Sequence, residues 1–195
     1  MIFFKGVLKN KMDLDSSNLN DSWNKLSPTI IDKILVIILI AYPIYKGIAL
    51  LTLKTTASAF ELLLFDFISL ILLFPLLFIH ELLHAIGFSK NQNINIYFKN
   101  FGLITHCTEV VNKKRFLFIL LLPNIVLSLT ASLLLIFPLS INALYLKVIA
   151  FPLIILVIGS YNDLIIVSNI LRNYNKIKVI KLNGPFIYYQ SFINK

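Results

Sequence analysis

The chain has 195 residues, of which 58% are hydrophobic and only 14% are charged. This composition excludes an ordinary soluble domain, because several apolar runs are long enough to cross a bilayer. The net charge of +9 comes from basic residues that flank these runs, and the sequence has no phosphate-binding loop or nucleic-acid motif. A single cysteine, Cys107, excludes an internal disulfide and a cysteine-based zinc site.

The apolar runs predict an all-α integral membrane bundle of four transmembrane helices. A polar tail, residues 1–28, comes first, and the membrane domain follows over 29–172. Each predicted span exceeds the roughly 20 residues that a ~30 Å hydrocarbon core requires. The spans cover about residues 30–53, 60–88, 116–139 and 144–171.

Two segments outside the spans have the pattern of strands. Asn93–Phe98 alternates polar and apolar residues, and Leu103–Val111 is rich in β-branched residues. This pattern predicts a small cytoplasmic β-hairpin over about 93–111. The basic tail, residues 173–195, contains a second extended element around Asn183-Gly184.

The basic residues predict the orientation of the chain. Before, between and after the four spans, lysines and arginines number five, two, five, one and five. The positive-inside rule therefore places both termini and the hairpin in the cytoplasm. We expect a multi-pass protein of a bacterial cytoplasmic membrane, with the lipid bilayer as its partner and no nucleic acid.

The second span contains an H-E-x-x-H motif, His80-Glu81-Leu82-Leu83-His84. Residues four apart share one face of a helix, so His80 and His84 can bind one Zn²⁺ ion. Glu81 is placed to act on a neighbouring water as a general base. Ionisable residues in a span are costly and are usually functional or paired. The alternative is a polar cluster that joins helices or passes protons.

A zinc site of this kind needs a third protein ligand. Asp163 is the only carboxylate of the fourth span. It lies about 13 Å from the inner end of its span and His80 lies about 12 Å from the end of the second span, at 1.5 Å per residue. The matching depth predicts Asp163 as the third ligand. Its alternative is a carboxylate that is capped by neighbouring polar side chains or paired with a lysine.

Other polar residues are weaker candidates. Asp66 lies about 21 Å before His80 on the same helix, which is too far to share an ion. His106 and Glu109 belong to the hairpin, where they could fold back to the site or remain exposed. Asn124 could donate a hydrogen bond at the site or join two helices.

These residues resemble the DUF3267 family of zincin-type peptidases. The resemblance rests on the motif His80-Glu81-Leu82-Leu83-His84-Ala85-Ile86-Gly87, the strand pair, Pro123 in the third span and the polar patch from Gly159 to Asp163. It covers about residues 60–172. The family is similar in turn to site-2 protease-type intramembrane metallopeptidases, whose third ligand is an aspartate on a later span.

The resemblance implies a zinc-dependent hydrolase that acts on membrane or juxtamembrane peptides. In this hypothesis His80, His84 and Asp163 hold zinc, and Glu81 is the catalytic base. An extended substrate could pair with an edge strand of the hairpin. The alternatives are a metal-binding but non-proteolytic protein, such as an inactive partner, and a metal-free packing or proton-relay role. The oligomeric state is left open.

Overall fold

The computed structural model describes residues 1–7, 19–51, 58–88, 92–99, 102–136, 143–183 and 185–192. Within these ranges the chain forms five helices: α1 (Ile30–Leu51), α2 (Ala59–Gly87), α3 (Lys113–Ile136), α4 (Ala143–Gly159) and α5 (Tyr161–Arg172). It also forms seven strands: β1 (Ile2–Val7), β2 (Trp23–Lys25), β3 (Ile94–Lys99), β4 (Gly102–His106), β5 (Val110–Asn112), β6 (Ile177–Asn183) and β7 (Phe186–Ser191).

The strands form two sheets. In the first, which we call sheet A, β3 lies between β1 and β4, parallel to β1 and antiparallel to β4. In the second, sheet B, the order is β2-β7-β6-β5 and all neighbours are antiparallel. Sheet B therefore joins strands from the start, middle and end of the chain.

The predicted all-α bundle of four spans is wrong. The described residues contain two sheets, and only Phe60–Gly87 among them is a helix long and apolar enough to cross a membrane. The predicted fourth span is divided at Ser160 into α4, of 17 residues, and α5, of 12 residues. A multi-pass topology is therefore not supported. The prediction failed because apolar composition alone reveals neither the division between α4 and α5 nor the strands.

The strands lie partly where the sequence predicted them. The pair β3 and β4 runs antiparallel from Asn95 opposite His106 to Lys99 opposite Gly102. The segment after His106 does not continue this hairpin, since β5 pairs with β6 in sheet B instead. The extended element of the basic tail is the pair β6 and β7. Its Gly184 lies outside the described residues.

The segment 1–28, predicted as a polar tail, contributes a strand to each sheet. Its β1 runs beside β3, and its β2 pairs with β7. Residues 8–18 of this segment lie outside the described part of the chain.

Helix α2 has two environments along its length. Its beginning is fixed by a capping box between Ser58 and Glu61, and its first half carries exposed apolar side chains such as Phe60, which is 75% exposed. Its last turns enter the main core, where Ala85 and Phe88 are buried. Each large apolar side chain buried in this core contributes about 1.5–3 kcal/mol. The core therefore fixes the end of α2 that carries the H-E-x-x-H motif. The other residues of the main core are Leu26, Ile94, Ile96, Cys107, Val111, Phe116, Leu117, Ile119, Leu120, Val167, Ile170, Ile177 and Ile180.

A buried carboxylate connects the start of α1 to the end of α5. Asp32 is fully buried, and its Oδ2 accepts hydrogen bonds from Arg172 Nη2 at 2.8 Å and from Asn169 Nδ2 at 3.0 Å. Thr29 donates its backbone N–H to the same oxygen, and Ser168 donates its hydroxyl to Oδ1. A buried charge is tolerated when it is paired and hydrogen-bonded in this way. This cluster fixes α5, the helix that carries Asp163.

We expect Asp32→Asn to lower the free energy of unfolding by about 2 kcal/mol, because an amide NH₂ would face donors that need an acceptor. Thermal unfolding in mild detergent measures the effect. Asp21→Asn is the matched control, since Asp21 is exposed, and it should change stability by less than about 0.5 kcal/mol. Equal stability of the two variants would contradict this role for Asp32.

The difference in stability between the wild type and Asp32→Asn should depend on pH. Burial by itself raises the pKa of the Asp32 carboxyl, but hydrogen bonds from Thr29, Asn169 and Ser168 outweigh it and hold that pKa below its ordinary value of 3.8. The stabilisation is therefore present above about pH 3.8 and is lost as the pH falls through the lower folded pKa. The difference in unfolding free energy between wild type and Asp32→Asn should shrink over that range and stay constant near neutral pH.

Candidate metal centre

Three predicted ligands come together where α2 meets α5. His80 and His84 occupy the last turns of α2, and both are buried. Asp163 lies in the first turn of α5, with its side chain 21% exposed. Helices α4 and α5 are joined at Ser160, whose backbone N–H and hydroxyl both donate to Leu156 O at 2.9 Å. Asp163 follows this junction by three residues, and its carboxylate lies beside the two imidazoles.

The three ligand atoms form a nearly regular triangle. His84 Nε2 lies 3.2 Å from His80 Nε2 and 3.2 Å from Asp163 Oδ2. His80 Nε2 lies 3.4 Å from the same oxygen. In a tetrahedral zinc site with bonds of about 2.0–2.1 Å, two ligand atoms are about 3.3–3.4 Å apart. The spacing and the chemistry of this donor set therefore fit a zinc ion, with a fourth position open.

Glu81 lies beside this triangle and could compete with Asp163 as a ligand. One carboxylate oxygen of Glu81 and the nitrogens of His80 and His84 all lie within 4.8 Å of one another. However, Glu81 Oε2 accepts a hydrogen bond from the backbone N–H of Thr105 at 3.0 Å. The distances from Asp163 Oδ2 to both imidazoles are shorter and match a common ion. The geometry therefore fits Asp163 better than Glu81 as a third ligand, and the Glu81 carboxylate lies beside the triangle.

The Asp163 carboxyl is held in its ionised form. Burial by itself raises the pKa of Asp163, but hydrogen bonds and charge from His80 and His84 outweigh it and keep that pKa below its ordinary value. An ionised carboxylate is the form that binds a metal ion. The electrostatics of the site thus favour a ligand role at neutral pH.

His84 is oriented by a backbone carbonyl of α3. Its Nδ1 lies 2.8 Å from Ile119 O, and since a carbonyl only accepts, Nδ1 carries the proton and Nε2 presents its lone pair to the triangle. In an uninterrupted helix the residue four positions later would donate to Ile119 O, but that residue is Pro123, which has no N–H. The proline therefore leaves this carbonyl for the imidazole. Such outer partners fix the orientation of metal-binding histidines.

Gly87 allows α3 to come close enough for this bond. A Cβ built on Gly87 would lie 2.9 Å from Ile119 Cγ1 and 3.1 Å from Ile119 Cα. The second atom belongs to the backbone, so a side chain at 87 would push the carbonyl away from His84. For His80, in contrast, Nδ1 is buried and has no hydrogen-bond partner among the described residues.

The remaining candidates from the sequence lie elsewhere. Glu109 accepts a hydrogen bond from the backbone N–H of Asn93 at the base of the hairpin. Asn124 donates to Leu120 O within its own helix. His106 is buried on β4, and Cys107 is buried in the main core. Sequence reasoning missed Thr105 and Ile119 because both act through backbone atoms. Only the four-residue spacing between Ile119 and Pro123 could have indicated that the carbonyl of Ile119 lacks a backbone donor.

Residues 73–178, more than half of the length of the chain, match the DUF3267 family, described as "Putative zincin peptidase". The chain belongs to the DUF3267 family. No curated protein and no solved structure matched it. The family implies a metallopeptidase that uses zinc, and the matched range contains the H-E-x-x-H motif, β4, the proline of α3 and Asp163.

We expect Gly87→Ala to weaken zinc binding by about 10–100-fold, because it moves the carbonyl that orients His84. Competition with a fluorescent zinc chelator measures the affinity. Gly159→Ala is the matched control, since a Cβ there meets nothing within 4 Å. If both variants bound zinc like the wild type, the contact between Gly87 and Ile119 would have no role in the site.

Proposed function

We propose that this DUF3267 protein is a zinc-dependent peptidase that hydrolyses peptide bonds of membrane or juxtamembrane substrates. The observation that carries the proposal is the triangle of His80 Nε2, His84 Nε2 and Asp163 Oδ2, with edges of 3.2–3.4 Å and a carboxylate beside it. Structural zinc sites are usually closed by four protein ligands, whereas three ligands and a neighbouring base are typical of hydrolytic sites.

Each residue has a separate task in this proposal. His80, His84 and Asp163 hold the ion, which when bound supplies Lewis acidity that lowers the pKa of water and polarises a carbonyl. Glu81 accepts the proton from the attacking water, and the same carboxyl later delivers it to the leaving amine. Thr105 N–H binds Glu81 Oε2, which leaves the other oxygen for this proton.

The substrate backbone would lie along β4. Among the described strands β4 is an edge of sheet A, and its Thr105 N–H points away from β3 toward Glu81. In an antiparallel pair alternate residues face the same side, so the backbone groups of Leu103 also lie on the outer edge. Because Thr105 N–H is already bound to Glu81, an extended peptide would pair with the backbone of Leu103 and so pass beside Glu81.

Helix α2 supports an association with the membrane. Its residues Phe60–Gly87 are long and apolar enough to cross a bilayer, and the first half exposes large apolar side chains. Lipid is the environment in which such a surface is stable, whereas water is not. The buried site at the other end of α2 would then act on peptides within or next to the membrane.

We expect Glu81→Gln to reduce peptide cleavage by about 10²–10⁴-fold while zinc binding is retained, because the amide cannot accept the proton. Cleavage of a casein-type unfolded substrate by the full chain in detergent, followed by mass spectrometry, measures the activity. If Glu81→Gln cleaves as fast as the wild type, Glu81 is not the base. A wild-type protein that binds zinc but cleaves nothing would favour the non-proteolytic alternative.

Removal of the ion should abolish the activity. Treatment with 1,10-phenanthroline should stop cleavage, and added Zn²⁺ should restore it, because the ligand triangle is held by protein contacts that do not depend on the ion. Asp163→Asn should lower the zinc content well below one ion per chain, since the amide loses the ligand charge. Asn162→Ala, at the exposed neighbouring position, is the control and should keep the ion.

A further inference from the structure

An apolar cavity opens directly beside the candidate centre. Its volume is about 190 Å³, and Glu81, His84 and Asp163 form one side of it. Most of the remaining wall is apolar, with contributions from β4, α3, α5 and sheet B. Whatever occupies this space lies next to the ligand triangle and its base.

The size of the cavity fits one large apolar side chain. A cavity of about 150 Å³ lined by leucine, isoleucine and phenylalanine holds one benzene ring. The space beside Glu81 is somewhat larger, so a leucine or phenylalanine side chain fits it, while an alanine would leave most of it empty. An apolar wall with a few polar groups at one end is the usual character of a selective pocket.

The position of β4 indicates which molecule supplies this side chain. Leu103 and Thr105 line the cavity and belong to the outer edge of β4. Successive side chains of an extended peptide point to opposite faces, so a peptide paired with this edge would direct one side chain into the cavity while its backbone passes Glu81.

The far wall comes from the end of the chain. Leu182 of β6 and Ile187 of β7 lie directly opposite each other in sheet B, and both line the cavity. Both are only partly buried, and both lie beyond the residues that match the family, 73–178. The side chains at positions 182 and 187 can therefore be substituted without any change to the candidate ligands or to Glu81.

We propose that the cavity binds a large apolar side chain of the peptide substrate beside the scissile bond, and that Leu182 and Ile187 determine which side chain fits. This inference rests on the proposed peptidase function. It names the substrate class as peptides with a leucine- or phenylalanine-sized residue at that position.

The test uses short peptides of serine and alanine in which one central residue is Ala, Leu, Phe or Trp. We expect the wild-type chain to prefer Leu or Phe over Ala by about 10–200-fold in kcat/KM, the range for apolar pockets. Leu182→Phe should reduce the preference for Phe at least tenfold, and Ile187→Ala should raise the relative rate for Trp. Phe186→Ala, an exposed aromatic of the same hairpin that does not line the cavity, should leave the preferences unchanged.

Binding separates this inference from the proposed function. Fluorescence anisotropy of the labelled peptides on Glu81→Gln measures side-chain preference without hydrolysis. If the preference appears in binding and follows Leu182 and Ile187, but the wild type cleaves no peptide, the pocket is supported and the peptidase function is wrong. If peptides are cleaved with equal preference in wild type and pocket variants, or if Phe186→Ala shifts the preference equally, the pocket assignment is overturned.

Discussion

The hydrogen bond between His84 and the carbonyl of Ile119 is the contact on which the candidate centre depends. It sets the tautomer of His84, and it requires that α3 approach α2 at Gly87 and that Pro123 leave the carbonyl without a backbone donor. Three features of the sequence, each ordinary alone, thus act on one atom. Among the described residues, His80 Nδ1 has no hydrogen-bond partner of this kind, so His84 is the imidazole whose orientation the neighbouring helix fixes.

Contacts elsewhere in the fold fix the position of Asp163, the third corner of the triangle. Asp163 is on a short helix, and the position of that helix is fixed by the buried carboxylate of Asp32 and by the core side chains of α5. Ser160 connects this helix to α4, since its backbone N–H and its hydroxyl both bind Leu156 O. The candidate ligands therefore come from two helices with separate supports: α3 contacts α2, and the start of α1 contacts α5.

Much of the site could be predicted from the sequence, but much of the fold could not. Helical spacing alone brings His80 and His84 together, and Asp163 stood out as an acid in an apolar run; their roles as ligands remain predictions. The four-span bundle failed because average hydropathy over a long window does not locate helix ends: the apolar residues on both sides of the polar patch from Gly159 to Asp163 made 144–171 resemble one span. The strands β1 and β2 were missed, and β5 was assigned to the wrong hairpin, because their stability comes from partners distant in sequence, such as the pairing of Trp23 with Gln190.

Sheet B has a practical consequence for how the molecule is handled. Leu182 of β6 and Ile187 of β7 line the cavity beside the candidate centre, and β2, from near the start of the chain, pairs with β7. A version cut to residues 73–178 would keep the three candidate ligands and Glu81, yet it would lose β2, β7 and most of β6, and with them Leu182 and Ile187 of the cavity wall. Fusions at either end are best attached through long linkers, so that these outer strands keep their places.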